Sequence, residues 1–412
     1  MKAILIVCDG MGDRPAKILN NKTPLAVANT PNLDKLSELG INGIMDPIKP
    51  GVPPGSDTSH LSIFGYDPYR YYTGRGGFEA LGIGMDLKLG EVALRGNFAT
   101  VDEDLIVLDR RAGRYVPEAK EFDALIDNYI PECANDTKII TEPSVEHRIS
   151  IKIVGPNLSP HISDVDPEDC VKIHQCHPLN NSPEAKRTAE IINEYTYFTN
   201  KVLKESPINE KRKKENRLPV NIVILRGAGT LPKVESIEKR FNIRASYIAG
   251  GALYKGVAHA VGMHPINVPG ATGGIDTNVM AKGKAAIDNL EKNDFIFLHV
   301  KGTDSASHDG SAENKIMMIE KIDKMVGLIL DNINLKETLI CVTADHTTPF
   351  EVVQDHTGDP VPLVICADNV LTDNVKSYSE LTCAKGGLGR IRGVNLIHII
   401  MDLIGKTKKF GA

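Results

Sequence analysis

Aspartate and histidine residues that could bind divalent metals occur at the start of the chain and in segments near its end. Asp304 and His308 are four residues apart, which places both side chains on one face of a helical turn. Carboxylate oxygen and imidazole nitrogen together suit manganese, zinc, cobalt or iron, and suit calcium less well. Any one such residue alone is more often a turn former, a helix cap or a packed histidine. As a set of six they indicate a centre for two metal ions: Asp9, Asp304, His308, Asp345, His346 and His356.

A second candidate group is the hydroxyl of Ser56, which lies at the predicted start of a helix within residues 53–65. A serine in that position meets free backbone N–H groups and the positive end of the helix dipole, which favours an anion. Ser56 or Thr58 would equally serve as an ordinary helix N-cap. A metal beside the hydroxyl favours the catalytic interpretation, because coordination produces a nucleophilic alkoxide at neutral pH.

Short apolar runs rich in β-branched residues lie just before the acidic residues and predict buried strands. Between them, apolar residues recur at three- and four-residue spacing, as in residues 315–330, which predicts helices. This alternation predicts an α/β fold, a mainly parallel sheet flanked by helices on both faces. Binding groups in such sheets gather at the carboxyl ends of the strands. The predicted strands are residues 3–8, 294–300, 338–343 and 361–366.

The middle of the chain has a different pattern, which predicts a smaller inserted α+β domain at residues 86–220. Two strand-like runs in residues 91–109 meet at a polar turn and predict a hairpin. The other elements predicted there are a helix at 117–129, strands at 138–141 and 147–154, and a helix at 183–203. Residues 1–85 and 221–412 then form the metal-binding core, and the insertion is expected to cap the substrate.

Composition and charge exclude several classes of partner. The chain of 412 residues has a formal net charge of −5, which gives no basic field for nucleic acid or an anionic membrane. The charged run at residues 211–217 is interpreted as a solvated loop or helix end. The seven cysteines are scattered without a C-x-x-C pair, and the apolar run at the N-terminus is too short for a signal peptide. These features predict a reduced, cytoplasmic protein, and they leave open whether it forms a homo-oligomer.

Longer motifs surround the candidate residues. They are VCDGMGD at 7–13, GSDTSHLSIFGYDP at 55–68, TGRGGFEALGIG at 73–84, LSPHISDVDP at 158–167, LRGAG at 225–229, AGGALYKGVA at 249–258, PGATGGIDTN at 269–278, HVKGTDSASHDG at 299–310 and TADHTTPFEVVQDHTGDPVPL at 343–363. In these motifs the chain resembles the cofactor-independent phosphoglycerate mutases of the alkaline phosphatase superfamily, and most closely their archaeal branch. The resemblance runs nearly from end to end, and the signatures T-D-x-x-x-H and A-D-H are specific only in combination.

The resemblance implies an isomerase that interconverts 2-phosphoglycerate and 3-phosphoglycerate in glycolysis and gluconeogenesis through a phosphoserine. It implies that Ser56 is the nucleophile, with Thr58 and Ser59 as alternatives because the loop differs from that of bacterial members. The two ions would be manganese, or else magnesium, cobalt or zinc. The implied ligands are Asp9, Ser56, Asp345 and His346 for one ion, and Asp304, His308 and His356 for the other.

Substrate binding calls for cations that hold a carboxylate and acceptors that hold hydroxyls, and arginine is the best bidentate partner for a carboxylate. By the same resemblance, Arg226 and Lys255 match basic substrate-binding positions. Further candidates from the insertion are Arg148, His161, Asp164 and Asp166, with His161 also a candidate for proton transfer. For the charged residues, the alternative is an ordinary surface ion pair.

Two other functions compete with this interpretation. Another phosphotransferase or a phosphatase of the same superfamily, acting on a small phosphorylated metabolite, would share the metals and the serine, so the substrate-side residues decide. A non-catalytic metal-binding protein on the same fold would be expected to lack the nucleophile or a ligand. Ser56 and every candidate ligand are present.

Overall fold

The computed structural model describes residues 1–409 and 411, which fold as two compact units. The large unit comprises Met1–Tyr72 and Val234–Ala412, and the small unit comprises Thr73–Lys233. The chain therefore leaves the large unit once and returns to it once.

Strands and helices are numbered in chain order. The strands are β1 Lys2–Cys8, β2 Ile41–Asp46, β3 Val92–Val101, β4 Val107–Asp109, β5 Lys138–Pro143, β6 Arg148–Val154, β7 Ile222–Gly229, β8 Ala245–Ile248, β9 His264–Pro265, β10 Phe295–Val300, β11 Thr338–Thr343, β12 Val361–Cys366 and β13 Gly389–Arg392. The helices are α1 Pro24–Val27, α2 Pro31–Leu39, α3 Ser56–Ile63, α4 Pro68–Tyr71, α5 Arg75–Gly82, α6 Ala119–Ile126, α7 Pro183–Lys204, α8 Pro207–Lys214, α9 Ile237–Phe241, α10 Ala252–Ala260, α11 Val279–Asn289, α12 Gly302–His308, α13 Ala312–Asn332, α14 Glu380–Cys383 and α15 Gly393–Leu403. Single 3-10 turns occur at Lys17–Leu19, Glu132–Ala134 and Leu290–Lys292.

The large unit is built on a sheet with the strand order β13-β2-β12-β11-β1-β10-β8-β9. Neighbouring strands are parallel except at β12, which runs antiparallel to both β11 and β2. Residues 344–360, which connect β11 to β12, contain no helix, whereas a parallel crossover usually includes one. The predicted α/β fold with a mainly parallel sheet is confirmed, and β12 is the exception to the parallel direction.

β1 lies inside this sheet, between β10 and β11. Every residue of β1 after Lys2 is fully buried, as are all residues of β10. A strand covered on both faces needs apolar side chains at consecutive positions, which is why these strands are continuous apolar runs rather than alternating ones. Helix α13 packs with α1, α2, α11 and α12, and α3 packs with α10 and α15.

The longest helices, α7 and α13, begin after serine residues that cap them. Ser182 Oγ accepts the backbone N–H of Ala185, and Ser311 Oγ accepts that of Asn314, which satisfies one unpaired donor at each helix start. Both helices bury one face and expose charged residues on the other. Among the described residues, none of the helices has the length and apolar character needed to cross a lipid bilayer.

The small unit contains an antiparallel sheet in which β3 pairs with β4, β6 and β7, and β5 pairs with β6. The hairpin predicted at residues 91–109 is confirmed as β3 and β4. The predicted boundary assigns β7 to the core, but β7 pairs with β3, and α5 packs on both strands. The compact unit, Thr73–Lys233, is therefore wider at each end than the predicted range 86–220.

The charged run at residues 211–217 forms the end of α8 and the turn after it. Its lysines are exposed, as expected for a solvated helix end, but Arg212 is fully buried. The Arg212 guanidinium donates to Glu118 Oε2 at 2.8 Å and to the backbone oxygens of Ala112 and Leu218 at 2.9 and 2.8 Å. Arg212 therefore anchors α8 to the segment that precedes α6.

We expect Arg212→Met to lower the free energy of unfolding by about 3 to 5 kcal/mol, because it removes the fully buried partner of Glu118, which among the described residues keeps only Arg217, and the donor to the Ala112 and Leu218 backbone oxygens. Urea denaturation followed by circular dichroism measures this change. Lys213→Met is the matched control on the exposed side of α8, and we expect it to change the free energy by less than about 0.5 kcal/mol. Equal denaturation midpoints for the two variants would contradict the anchoring role.

Candidate active site

The predicted metal-binding residues lie beyond the carboxyl ends of β1, β10 and β11. Asp9 follows β1 directly, Asp304 lies in the first turn of α12 after β10, and Asp345 and His346 follow β11. Parallel pairing of β1 with both neighbours aligns these strand ends. Each of the four residues is at most 1% exposed. The structure therefore brings residues from the two ends of the chain into one buried place.

One group consists of Asp304, His308 and His356, whose ligand atoms all lie within 4.8 Å of one another. Asp304 Oδ1 is 3.3 Å from His308 Nε2 and 3.5 Å from His356 Nε2. The other ring nitrogens are held by backbone oxygens, since His308 Nδ1 donates to Gln354 O at 2.7 Å and His356 Nδ1 donates to Pro54 O at 2.8 Å. A proton held on Nδ1 leaves Nε2 free to bind a metal.

A second group consists of Asp9, Asp304 and His346, again with ligand atoms within 4.8 Å of one another. His346 Nε2 is 3.3 Å from Asp9 Oδ1, 3.1 Å from Asp345 Oδ2 and 3.2 Å from Ser56 Oγ. The side chains that the resemblance assigns to the first ion thus meet around one imidazole nitrogen. Asp304 belongs to both groups, so its carboxylate lies where the two groups meet.

The loop after β1 and the loop after β11 approach each other closely because Gly10 has no side chain. Gly10 has a φ of +61°, and a Cβ there would lie 2.6 Å from Thr348 Oγ1 and 2.9 Å from Asp304 Cβ. The Gly10 N–H donates to Asp345 Oδ1 at 3.0 Å. Thr348 Oγ1 donates to Asp304 Oδ1 at 3.2 Å and lies 2.8 Å from His346 Nδ1. A larger residue at position 10 would push the candidate ligands apart.

Ser56 is the first residue of α3 and is 5% exposed. Gly55 is the N-cap, and no side chain caps this helix, so neither Ser56 nor Thr58 has the capping role considered from the sequence. Thr58 Oγ1 donates to Gly55 O at 2.9 Å, and Ser59 Oγ donates to Ser56 O at 3.0 Å. These two hydroxyls are bound to the helix backbone, whereas Ser56 Oγ faces His346.

Lys301, Tyr254 and His299 line the same centre and are not among the residues that the sequence predicts. Lys301 Nζ is 2.6 Å from Asp304 Oδ2, 3.7 Å from Asp9 Oδ2 and 3.0 Å from the Tyr254 hydroxyl. His299 stacks on Tyr254 with ring centres 3.7 Å apart, and its Nε2 is 3.2 Å from Asp9 Oδ2. The sequence signal for His299 and Lys301 is the motif HVKGTD at residues 299–304, which places them just before Asp304.

Burial and charge act against each other in this centre. Burial alone would raise the pKa of Asp304, but hydrogen bonds from His308 and His356 and the charge of Lys301 outweigh it and hold that pKa well below its usual range. The Asp304 carboxylate in turn raises the pKa of His308. Burial lowers the pKa of His299 to about 4, which keeps this imidazole neutral. The Asp304 carboxylate is therefore ionised and surrounded by cationic or polarisable groups.

Lys315 of α13 is completely buried and joins the two loops that carry candidate ligands. Its ammonium group donates to Asp13 Oδ2 at 2.7 Å, to Gly12 O at 3.0 Å and to Thr348 O at 2.9 Å. Gly12 and Asp13 belong to the loop after β1, and Thr348 belongs to the loop after β11. One lysine with all three donors occupied thus holds the two loops at a fixed separation.

Three predicted substrate-binding residues come together in the small unit. Arg226 lies in β7, and its Nε is 3.5 Å from Asp166 Oδ2. Asp166 is 2% exposed and accepts two hydrogen bonds from Arg110, at 2.9 and 2.7 Å. Asp164 Oδ1 accepts the backbone N–H of Gly227 at 2.7 Å. The two aspartates therefore hold β7 and its arginine in place.

A cluster of arginines surrounds Glu79 in the same unit. Glu79 Oε1 accepts hydrogen bonds from Arg75 Nε at 2.7 Å and Arg95 Nη1 at 3.2 Å. Burial would raise the pKa of Glu79, but the charges of Arg75, Arg95 and Arg148 lower it. Arg95 is the strand partner of Arg226 across β3 and β7. Since the guanidinium groups outnumber the Glu79 carboxylate, this cluster would attract an anion.

The remaining candidates lie in other places. Lys255 is half-buried in α10 of the large unit. His161 is on an exposed loop of the small unit. Asp164, which holds β7, also lines an open cavity of about 570 Å³ together with His174 and His177. The predicted substrate residues therefore do not form one cluster within either unit.

Comparison with known proteins places this arrangement in a family context. A family model described as Metalloenzyme superfamily matches residues 1–403. The chain is 47% identical over its whole length to a protein of Ignicoccus hospitalis named 2,3-bisphosphoglycerate-independent phosphoglycerate mutase, of which it covers 99%. It is 45% identical to a protein of Methanothermobacter thermautotrophicus named 2,3-bisphosphoglycerate-independent phosphoglycerate mutase 1, and the match covers both chains completely. The resemblance seen in the motifs is confirmed.

Solved structures agree with the sequence comparisons. A protein of Pyrococcus horikoshii superposes with a TM-score of 0.87 at 42% identity, covering 100% of this chain and 99% of the other. A cofactor-independent phosphoglycerate mutase of Thermoplasma acidophilum superposes with a TM-score of 0.73 at 37% identity, covering 98% of this chain and 100% of the other. Both matches include the residues of the large and the small unit.

We expect Lys315→Met to lower the melting temperature, and we expect addition of a divalent metal ion such as Mn²⁺ to raise the melting temperature less in this variant than in the unaltered protein. The substitution leaves Asp13 buried without its cation and releases the loops after β1 and β11, at an expected loss of about 3 to 5 kcal/mol. Calorimetry with a chelator and with Mn²⁺ measures both effects.

Lys324→Met is the matched control, because Lys324 lies on the same helix but is exposed. We expect its melting temperatures to equal those of the unaltered protein. A full Mn²⁺ response in Lys315→Met would show that the loops keep their separation without this lysine.

Proposed function

Because the chain belongs to the family of 2,3-bisphosphoglycerate-independent phosphoglycerate mutases, we propose that it interconverts 2-phosphoglycerate and 3-phosphoglycerate, as an isomerase of glycolysis and gluconeogenesis. The observation that carries the proposal is the meeting of Ser56 Oγ with Asp9, Asp345 and His346 at the end of the large sheet. The cytoplasm is the proposed location, and the seven cysteines, all present as free thiols, suit its reducing conditions.

Buried oxygen atoms in the large unit support the binding of metal ions. Within the described part of the chain, both carboxylate oxygens of Asp9 and Asp345 Oδ2 are buried without a hydrogen-bond partner. The imidazole nitrogens of His299 and His346 lie 3.1 to 3.3 Å from these oxygens without forming hydrogen bonds to them. Buried charges are normally paired or bind metals. The residues present therefore fit a metal centre.

We assign two divalent ions to the centre. Asp9, Ser56, Asp345 and His346 would hold one, and Asp304, His308 and His356 would hold the other. Mixed carboxylate and imidazole ligands suit Mn²⁺, with Mg²⁺, Co²⁺ or Zn²⁺ as alternatives. When bound, the ions supply positive charge for the phosphoryl group and lower the pKa of a coordinated hydroxyl.

Ser56 is the proposed nucleophile. Its Oγ is the only hydroxyl among Ser56, Thr58 and Ser59 that is not donated to a helix carbonyl. Because Ser56 begins α3, the positive end of the helix dipole lies beside it and favours the negative charge of a phosphoryl group. Position and hydrogen bonding therefore both favour Ser56 over its neighbours.

The reaction then consists of two phosphoryl transfers. Ser56 Oγ attacks the phosphorus of the bound ester in line, and the bond between phosphorus and the substrate oxygen breaks. The serine loses one proton and the departing glycerate oxygen gains one. The glycerate then presents its other hydroxyl, which attacks the phosphoserine and restores Ser56. Entry of water would instead release inorganic phosphate, so the 5% exposure of Ser56 supports transfer to bound glycerate.

Arg226 is the proposed partner of the substrate carboxylate. Its Nη1 donates to Glu168 Oε1 at 2.7 Å, but the Glu168 side chain is 69% exposed, and exposed ion pairs contribute little. A substrate carboxylate could replace Glu168 while Asp166 keeps the guanidinium in place. Asp164 would support Arg226 by holding the backbone of β7. We assign further substrate-binding roles to Arg148, Lys255 and His161.

We expect Ser56→Ala to lower the rate of interconversion of 3-phosphoglycerate and 2-phosphoglycerate by about four orders of magnitude or more, because the transferred phosphoryl group loses its acceptor. The assay separates the products after the reaction is quenched with a chelator, and phosphorus NMR identifies them. Mass spectrometry of quenched protein should find a phosphate on Ser56.

Thr58→Val is the matched control and should keep most of the activity, because the Thr58 hydroxyl is bound to Gly55 O. A phosphate found on Thr58 or Ser59 would overturn the assignment of the nucleophile. Inorganic phosphate as the main product of the unaltered protein would instead favour a phosphatase.

We expect Arg226→Lys to lower kcat/KM for 3-phosphoglycerate by about 10- to 100-fold, mainly through KM, because lysine cannot bind a carboxylate in the bidentate manner of arginine. Steady-state kinetics with saturating Mn²⁺ measures this change. Arg187→Lys is the control, since Arg187 pairs with Asp136 on the surface of α7. An unchanged KM would remove Arg226 from the substrate-binding site.

A further inference from the structure

Lys301 lies in the middle of the candidate metal centre but has no place in the proposed ligand sets. Its Nζ is 2.6 Å from Asp304 Oδ2 and 3.7 Å from Asp9 Oδ2, and these carboxylates belong to different ions in the proposed function. The Tyr254 hydroxyl, 3.0 Å away, gives the ammonium group a third polar neighbour. Lys301 is therefore a protein cation positioned between the two proposed metal sites.

The fold fixes the backbone of Lys301 and leaves part of its side chain exposed. Lys301 directly follows β10 and is the N-cap residue of α12, so it is three residues before Asp304. The Lys301 side chain is 29% exposed, whereas Asp9 and Asp304 are almost completely buried. Below it, the Tyr254 ring stacks on His299 and cannot move without disturbing the core. Lys301 thus contacts the carboxylates through its ammonium group and has a side chain that is exposed enough to meet a ligand entering the centre.

Charge balance indicates what the ammonium group does. The carboxylates of Asp9, Asp304 and Asp345 carry three negative charges in one buried place. Two divalent cations would leave a net charge of about +1, and Lys301 would raise it to about +2. A net charge of about +2 would neutralise a phosphate monoester dianion. Such neutralisation is required where water is excluded, because unpaired charges are costly there.

We propose that Lys301 is a third cation of this centre, which pairs with Asp304 and Asp9 in the metal-free protein and contacts the substrate phosphate in the loaded one. This inference rests on the proposed function. It adds two properties: Lys301 competes with metal for Asp304 Oδ2, and it contributes to phosphate binding. A lysine that only stabilised the fold would have neither property.

The test compares Lys301→Met with the unaltered protein, both stripped of metal by a chelator. Titration calorimetry with Mn²⁺ alone should show about ten-fold tighter binding in Lys301→Met, because a charge-assisted hydrogen bond to Asp304 no longer has to be broken. With Mn²⁺ bound, affinity for inorganic phosphate should fall about ten-fold. In the same state kcat/KM for 3-phosphoglycerate should fall about 100-fold, as for loss of one charge-stabilising group.

Two further variants separate this role from a structural one. Lys301→Arg retains the positive charge. Its Mn²⁺ affinity should therefore be as low as that of the unaltered protein, and it should keep part of the phosphate affinity. Lys321→Met removes a lysine charge elsewhere in the large unit, where Lys321 Nζ donates to Ile275 O at 3.4 Å, and it should match the unaltered protein in all three measurements.

Opposite changes in Mn²⁺ and phosphate affinity support the proposal, because misfolding would weaken both. Mn²⁺ binding that is unchanged or weaker in Lys301→Met would overturn it, as would unchanged phosphate affinity. If the unaltered protein binds Mn²⁺ and phosphate but does not interconvert the phosphoglycerates, the proposed function fails. The two affinity measurements would then still decide the role of Lys301.

Discussion

The repulsion among three buried carboxylates is the constraint on which this structure depends. Asp9, Asp304 and Asp345 are each at most 1% exposed, and they meet around His346 at the end of the large sheet. Carboxylates can be buried together only when cations or hydrogen-bond donors compensate their charge. The imidazoles and Lys301 provide part of this compensation, and within the described part of the chain the Asp9 oxygens have no hydrogen-bond partner, as expected of metal ligands.

The rest of the large unit can be understood as the support that keeps these carboxylates together. Parallel pairing of β1 with β10 and β11 brings three strand ends to one edge. Lys315 binds backbone oxygens of the loops after β1 and β11, and Gly10 allows these loops to touch. The apolar strands and α13 supply the rigidity that a preorganised centre requires. Function at this edge therefore depends on residues buried well inside the unit.

The α/β fold and the grouping of most candidate metal ligands could be predicted because their signals are local. Strands covered on both faces are continuous apolar runs, and the spacing of Asp304 and His308 reflects a helical turn. The direction of β12 could not be predicted, since an apolar run has the same composition in either direction. The burial of Arg212 and the position of Lys301 depend on partners far away in the chain, Glu118 and Asp9. The extent of the small unit depends in the same way on a distant pairing, because β7, which lies beyond the predicted boundary at residue 220, pairs with β3.

The junction at which the chain enters and leaves the small unit has an evolutionary consequence. Thr73 Oγ1 donates to Thr230 O at 2.6 Å, and Thr230 N–H donates to Thr73 O at 3.2 Å, so the two ends of the segment are adjacent. A segment with adjacent ends can be inserted, exchanged or lost as one piece without cutting any strand of the large sheet. Recombination could therefore replace the small unit as a whole, while the large sheet and the carboxylates at its edge are inherited unchanged.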